Sequence, residues 1–197
     1  MQLGRLPMAF EWQVAPADWT VGLDGTLHIV AGPDTDLFLD PAGGPAQLGA
    51  ARLMAAVDGD FQLSANVKAD LQATFDAGAL VLHAADHHWV KLALERSPQG
   101  QATIVSVVTD GLSDDANGRV VAGDSVWLRI SRIGAACALH ASDDGVRWDL
   151  VRHFAFPAPD GLTAGFLAQS PTGDGCAVTF DGLEHVAETL ADLRDGS

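Results

Sequence analysis

Three strand-like segments carry the side chains best suited to chemistry. In WVKLALE, strand alternation sets Trp89, Lys91, Ala93 and Glu95 on one face and Val90, Leu92 and Leu94 on the other. VWLRIS turns Trp127, Arg129 and Ser131 away from Val126, Leu128 and Ile130, and LHAS turns His140 and Ser142 away from Leu139. His83 alternates with Leu80 and Leu82 and joins the polar set. If these strands are neighbours in one curved sheet, its concave face holds two indoles, two cations, a carboxylate and a histidine. Indoles pack on the C–H faces of a sugar, and charged groups satisfy its hydroxyls, so this is a suitable lining for a carbohydrate or similar polyhydroxylated small molecule. An anionic sugar or small acid would fit the cations. The competing account is that Lys91 pairs with Glu95, that Arg129 joins them, and that the tryptophans merely cover the sheet.

Other polar segments give weaker signals. SVVTDGLSDD reads as a strand and a solvated turn; it adds Thr109, Ser113 and Asp114 to the candidate ligand contacts, and its spacing lacks the pattern of an EF-hand calcium loop. In HAADHHW the adjacent His87 and His88 lie in a turn where side chains diverge, so no metal site is expected. Cys137 and Cys176 stand far apart without a CxxC and read as small buried apolar side chains; the alternative, a disulfide between them, would require an oxidising compartment. SDDGVRW reads as a structural hairpin turn with Trp148 over it, and Trp12 and Trp19 as core or edge cover.

The elements that position these residues are strands. Gly and Pro together number 30 and punctuate short apolar runs, as in a protein of many strands and tight turns. DFQLSANVK alternates Phe61, Leu63, Ala65 and Val67 with polar residues, and CALHASDDGVRWDLVRHF reads as a hairpin. Further strands are expected at 26–30, 78–84, 102–109, 162–169 and 176–181. The pattern predicts an all-β, antiparallel two-sheet sandwich. EHVAETLADLR spaces Val186, Leu190 and Leu193 by three and four residues, which predicts a short C-terminal helix over about 184–194.

Composition bounds the partners. The 197 residues, 48 % hydrophobic and 19 % charged, suit one domain over 1–197 with a single large core. Eleven Lys and Arg against 26 Asp and Glu give −15, with no basic stripe for nucleic acid or an anionic membrane. The start lacks a signal-peptide core and no apolar run is long enough to span a bilayer, so a cytoplasmic location is expected.

A set of phrases, in order, resembles a family of bacterial and fungal regulation-of-enolase-like proteins with the concanavalin A-like lectin/glucanase sandwich. They include WQVAPADW, TDLFLD, GDFQLSANV, FDAGALVLHAADHHWVKLALE, SVVTDGLSD, VWLRISRIG, SDDGVRWDLVR and GFLAQSPTGDGCAVTFDGL, covering about residues 10–183. The resemblance implies a jelly roll with a curved sheet and no particular reaction. Where that family usually places an aromatic residue after Ser-Asp, this chain has Asp115. Related sandwich glucanases present Glu-x-Asp-x-x-Glu along a strand, and that pattern is absent here.

The sequence thus points to a non-catalytic binding module, with His83, Trp89, Lys91, Glu95, Thr109, Ser113, Asp114, Trp127, Arg129 and His140 as ligand contacts and no cofactor. Two alternatives stand beside it. One is a sugar-acting hydrolase or isomerase with Glu95 as acid/base, and the other an acidic regulatory protein that engages a basic partner. Sandwich faces and edges commonly pair, so a homodimer is allowed.

Overall fold

The segment Phe61–Ala69 shows how the fold is built: Phe61, Leu63, Ala65 and Val67 are fully buried, and the intervening Gln62, Ser64, Asn66 and Lys68 face outward. A computed structural model describes residues 1–157 and 161–197. Its strands are β1 (Glu11–Val14), β2 (Asp18–Val21), β3 (Leu27–Ala31), β4 (Leu37–Phe38), β5 (Gln47–Leu48) and β6 (Ala51–Ala56). There follow β7 (Phe61–Ala69), β8 (Ala77–Ala85), β9 (His88–Arg96), β10 (Ala102–Asp110) and β11 (Leu112–Val120). The last are β12 (Ser125–Ile133), β13 (Ala136–Ser142), β14 (Asp149–Ala155), β15 (Thr163–Gln169) and β16 (Cys176–Val186).

Two seven-stranded antiparallel sheets face each other, in the orders β1-β6-β15-β8-β9-β10-β11 and β14-β13-β12-β7-β16-β3-β2. Their inner stripes, among them Leu80, Val90, Leu92 and Leu94 from the first and Leu63, Val67, Leu128 and Ile130 from the second, form the main core. Both cysteines are free and buried there, and burial pushes their thiols up to about 12. The rings of Trp12 and Trp19, on edge strands of opposite sheets, stand 5.9 Å apart.

The chain also covers the outer face of the first sheet. The segment 32–50, with the small β4–β5 hairpin, lays Leu37 over Ala77, Ala79, Val81, Trp89, Ala93 and Leu167 and creates a second apolar cluster. Small residues on β8 and β9 leave room for it.

Two expectations are corrected. LSDDANGRV, expected as a turn, is the edge strand β11, joined to β10 through Gly111 at φ 80°. Its Asp, Asn and Gly are poor strand formers, and pairing to β10 overrides that preference. The C-terminal helix is absent: β16 runs to Val186, Glu184 opposes Ser64, and 187–197 follow as bends and turns. The physical reason lies in what the tail crosses. Arg129 and His140 on the outer face of the second sheet take the Gly196 and Leu193 carbonyls, which holds this segment in a turn conformation. No helix among the described residues is long and apolar enough to cross a membrane.

Candidate functional site

Cross-strand register decides which side chains share a face. On the outer face of the first sheet, Val81, Lys91, Val107 and Asp115 form one row across β8, β9, β10 and β11. Gln169, Ala77, Glu95 and Thr103 form a second row across β15, β8, β9 and β10. Between the rows and the covering segment opens a pocket of about 180 Å³, lined by Asp36, Phe38, Phe75, Lys91, Glu95, Val105, Val107, Asp115 and Gln169.

Lys91 is 2 % exposed. It donates to the Leu37 carbonyl at 3.2 Å and to Gln169 Oε1 at 2.9 Å, and Asp36 Oδ1 stands 3.6 Å away. Two of its three donors are hydrogen-bonded, and Asp36 balances its charge from beyond hydrogen-bond distance. Its salt-bridge partner is therefore Asp36 on the covering segment, not Glu95.

Glu95 is the opposite case. It is 9 % exposed, lines the pocket, and has no hydrogen-bond partner among the described residues. Burial pushes its carboxyl up from 4.5 to about 7; Lys91 opposes the shift, and Asp36 and Asp115 add to it.

Two phenyl rings complete the wall. Phe75 is 40 % exposed and adopts φ 68°, a left-handed backbone that a bulky residue rarely occupies. Its N–H donates to Arg96 O at 2.8 Å and its carbonyl accepts from Gln169 Nε2 at 3.1 Å. The next residue, Asp76, accepts from Ala73 N–H at 2.7 Å and from the Ser170 hydroxyl at 2.7 Å, which fixes the turn. Surrounding structure thus enforces a strained backbone where an aromatic ring meets the pocket.

Of the residues expected to contact ligand, Lys91 and Glu95 line this pocket. Trp89 lies on the same face but is wholly buried beneath the covering segment, so its ring has no free surface for stacking. Thr109 and Ser113 share a hydrogen bond of 2.9 Å, and Ser113 Oγ accepts the Leu39 N–H at 2.9 Å; both are buried anchors of the segment 32–50. Asp114 points to the other side of β11, 3.2 Å from Arg152. His83 sits a row beyond Lys91, opposite Trp89, with Asp86 at 3.7 Å, and burial lowers its pKa with help from Arg52.

Trp127, Arg129 and His140 are not neighbours of β9 at all. They belong to the outer face of the second sheet, where Glu184, Ser64, Arg129 and His140 form a row across β16, β7, β12 and β13. Alternation shows which residues share a face of one strand, not which sheet that strand joins, so the single polar face expected from sequence divides into two on opposite sides of the molecule.

The second face is occupied by the chain itself. Arg129 donates to Gln62 Oε1 at 3.1 Å and to the Gly196 carbonyl, and its guanidinium lies 4.1 Å from the Trp148 ring. Burial lowers its pKa to about 10, with Glu184 opposing. His140 Nε2 meets the Leu193 carbonyl at 2.8 Å, and burial lowers its pKa against that bond. The ring against the turn glycine Gly145 is Trp127: a Cβ there would stand 2.8 Å from the indole, and one at Gly182 2.2 Å. An adjoining hollow of about 470 Å³ is lined by Arg5, Trp127, Trp148, Glu184 and His185, among others. Among the described residues no group of three or more His, Cys, Asp or Glu could hold a metal ion.

Asp36, Phe38, Phe75 and Gln169 were not singled out from sequence, because they enter the pocket from the covering segment, from a turn, or from a strand two places from β9 in the sheet order. One signal was available: Asp36 and Phe38 both lie within the phrase TDLFLD.

With this geometry in place, known proteins can be compared. Regulation of enolase protein 1 of Saccharomyces cerevisiae is 31 % identical over 122 residues, a match spanning 61 % of this chain and 61 % of the yeast protein. The crystal structure of a functionally unknown protein from the same yeast superposes with a TM-score of 0.84 at 25 % identity, over 91 % of this chain and 96 % of that one. The GH43 protein BlXynB of Bacillus licheniformis superposes with a TM-score of 0.73 at 16 % identity, over 90 % of this chain but only 37 % of its own. At that identity the likeness is one of fold alone. Residues 12–187 match the family described as protein of unknown function (DUF1349), and by that match the chain belongs to it.

Proposed function

We infer that this protein is a binding module that holds a carbohydrate or similar polyhydroxylated small molecule in the pocket on the outer face of the first sheet. One observation carries this: a buried carboxyl with no partner among the described residues, Glu95, faces a pocket walled by Phe38 and by Phe75, whose left-handed backbone is held in place. The carboxyl oxygens face the pocket and make no bond among the described residues, so they are open to a ligand hydroxyl or amine. Its volume of about 180 Å³ corresponds to about six water molecules at ~30 Å³ each, room for one small ring. A sandwich of this kind also occurs as part of a GH43 protein, which is consistent with a carbohydrate-related role.

Calorimetric titration with a panel of mono- and disaccharides tests the role. Binding that weakens about tenfold or more in Phe75→Ala and Phe38→Ala supports it, in line with the worth of an aromatic contact. Binding unchanged in both variants, or no binding across the panel, contradicts it.

A second reading is favoured by the Glu95 carboxyl standing near 7. A group there is partly protonated at neutral pH and suits a general acid/base in a sugar hydrolase or isomerase, with Asp36 or Asp115 as the second carboxylate. Turnover of a bound sugar that disappears in Glu95→Gln supports it; full turnover in that variant removes it.

A further inference from the structure

The charge of the ligand follows from which pocket groups are free. Lys91 is the pocket's only cation among the described lining residues; it is hydrogen-bonded to Leu37 O and Gln169 Oε1, and Asp36 pairs with its charge at 3.6 Å. Gln169 is used on both sides, since its Nε2 donates to the Phe75 carbonyl. An anion would meet a cation whose charge Asp36 already balances, together with the carboxyls of Glu95 and Asp115. The acceptors are free: neither Glu95 nor Asp115 has a hydrogen-bond or salt-bridge partner among the described residues, and Glu95 is nine-tenths buried and faces the cavity. The acidic character continues outward, because Asp36 also borders an adjoining depression of about 200 Å³ lined by Asp34, Gln47 and Pro171. Phe38 and Phe75 line the same pocket, and an aromatic ring attracts a cation placed over its face.

We propose that the pocket selects a polyhydroxylated ligand bearing a protonated amine, a molecule of the amino-sugar type, with the ammonium taken by Glu95, Asp115 adding negative charge from across the pocket, and the apolar part of the ligand set against Phe38 and Phe75. The proposal rests on the binding role given above and narrows it. It reverses the expectation from sequence that cations on this face favour an anionic sugar, because Asp36 balances the cation within the protein.

The test compares three probes on one frame at about pH 7: glucosamine, its uncharged form N-acetylglucosamine, and glucuronate. Glucosamine should bind at least about tenfold more tightly than N-acetylglucosamine, the worth of one charge-assisted hydrogen bond, with glucuronate weakest. Glu95→Gln should erase most of that preference, and Asp115→Asn, at an exposed position of the edge strand β11, should weaken it further. N-acetylglucosamine or glucuronate binding as tightly as glucosamine overturns the charge preference while leaving the binding role intact. Failure of all three probes and of every neutral sugar overturns both.

Discussion

Glu95 should give stability a pH dependence opposite to that of a paired carboxylate, and Glu95→Gln should remove it. The folded carboxyl titrates at about 7 against an ordinary 4.5, because burial disfavours its charged form. Between these values the folded protein holds a proton that the unfolded chain has released. Stability from this group is therefore fully present below 4.5 and falls as pH rises to 7, where the loss levels off. The total is about 3 kcal/mol, from 2.5 pKa units at about 1.36 kcal/mol each. Integrated between about pH 5.5 and about pH 8.5, clear of the isoelectric region, the change is about 2 kcal/mol. Glutamine keeps the shape and does not titrate. Urea unfolding of both proteins across that range should show Glu95→Gln gaining about 2 kcal/mol on the natural protein as pH rises. A stability difference that stays flat with pH would refute the claim that Glu95 is held desolvated and unpaired.

Three further substitutions probe the framework around the pocket. Lys91→Met removes the donor shared by Leu37 O, Gln169 Oε1 and Asp36 and should cost about 3 kcal/mol in urea unfolding, the effect of breaking a buried pair on one side. Ser113→Ala orphans the Leu39 N–H and the Thr109 hydroxyl; it should cost about 1–2 kcal/mol and raise hydrogen exchange in the segment 32–50. Gly196→Ala sets a side chain at φ 75° and 2.4 Å from the Arg129 guanidinium; it should release residues 190–197 to hydrogen exchange while leaving sugar binding unchanged, because the tail covers the opposite sheet.

What was legible in the sequence follows from what alternation can encode. The stripes Phe61-Leu63-Ala65-Val67, Val90-Leu92-Leu94 and Val126-Leu128-Ile130 all lie in the core, since a slip of one residue would expose every member. The neighbours of a strand are not written in its own period. β9 and β12 have similar polar faces, yet they belong to different sheets, and Lys91 and Arg129 never share a surface. β11 was hidden because an exposed edge strand needs no apolar face, so its Ser113, Asp114 and Asp115 read as a turn. EHVAETLADLR has helical spacing, but strand pairing at Glu184 and His185 and the carbonyl bonds to Arg129 and His140 prevail over it. The pocket was half legible for the same reason: β9 supplied Lys91 and Glu95, while Asp36, Phe38 and Phe75 come from loops whose position depends on tertiary contacts.

The most direct test of a ligand pocket on the first sheet is a backbone-amide NMR titration with glucosamine. Perturbed resonances should gather at Phe38, Phe75, Glu95, Val105, Val107 and Asp115, with those of Trp127, Arg129, His140 and His185 unmoved. Shifts confined to the Trp127 and Trp148 hollow, with the Glu95 neighbourhood silent, would contradict it.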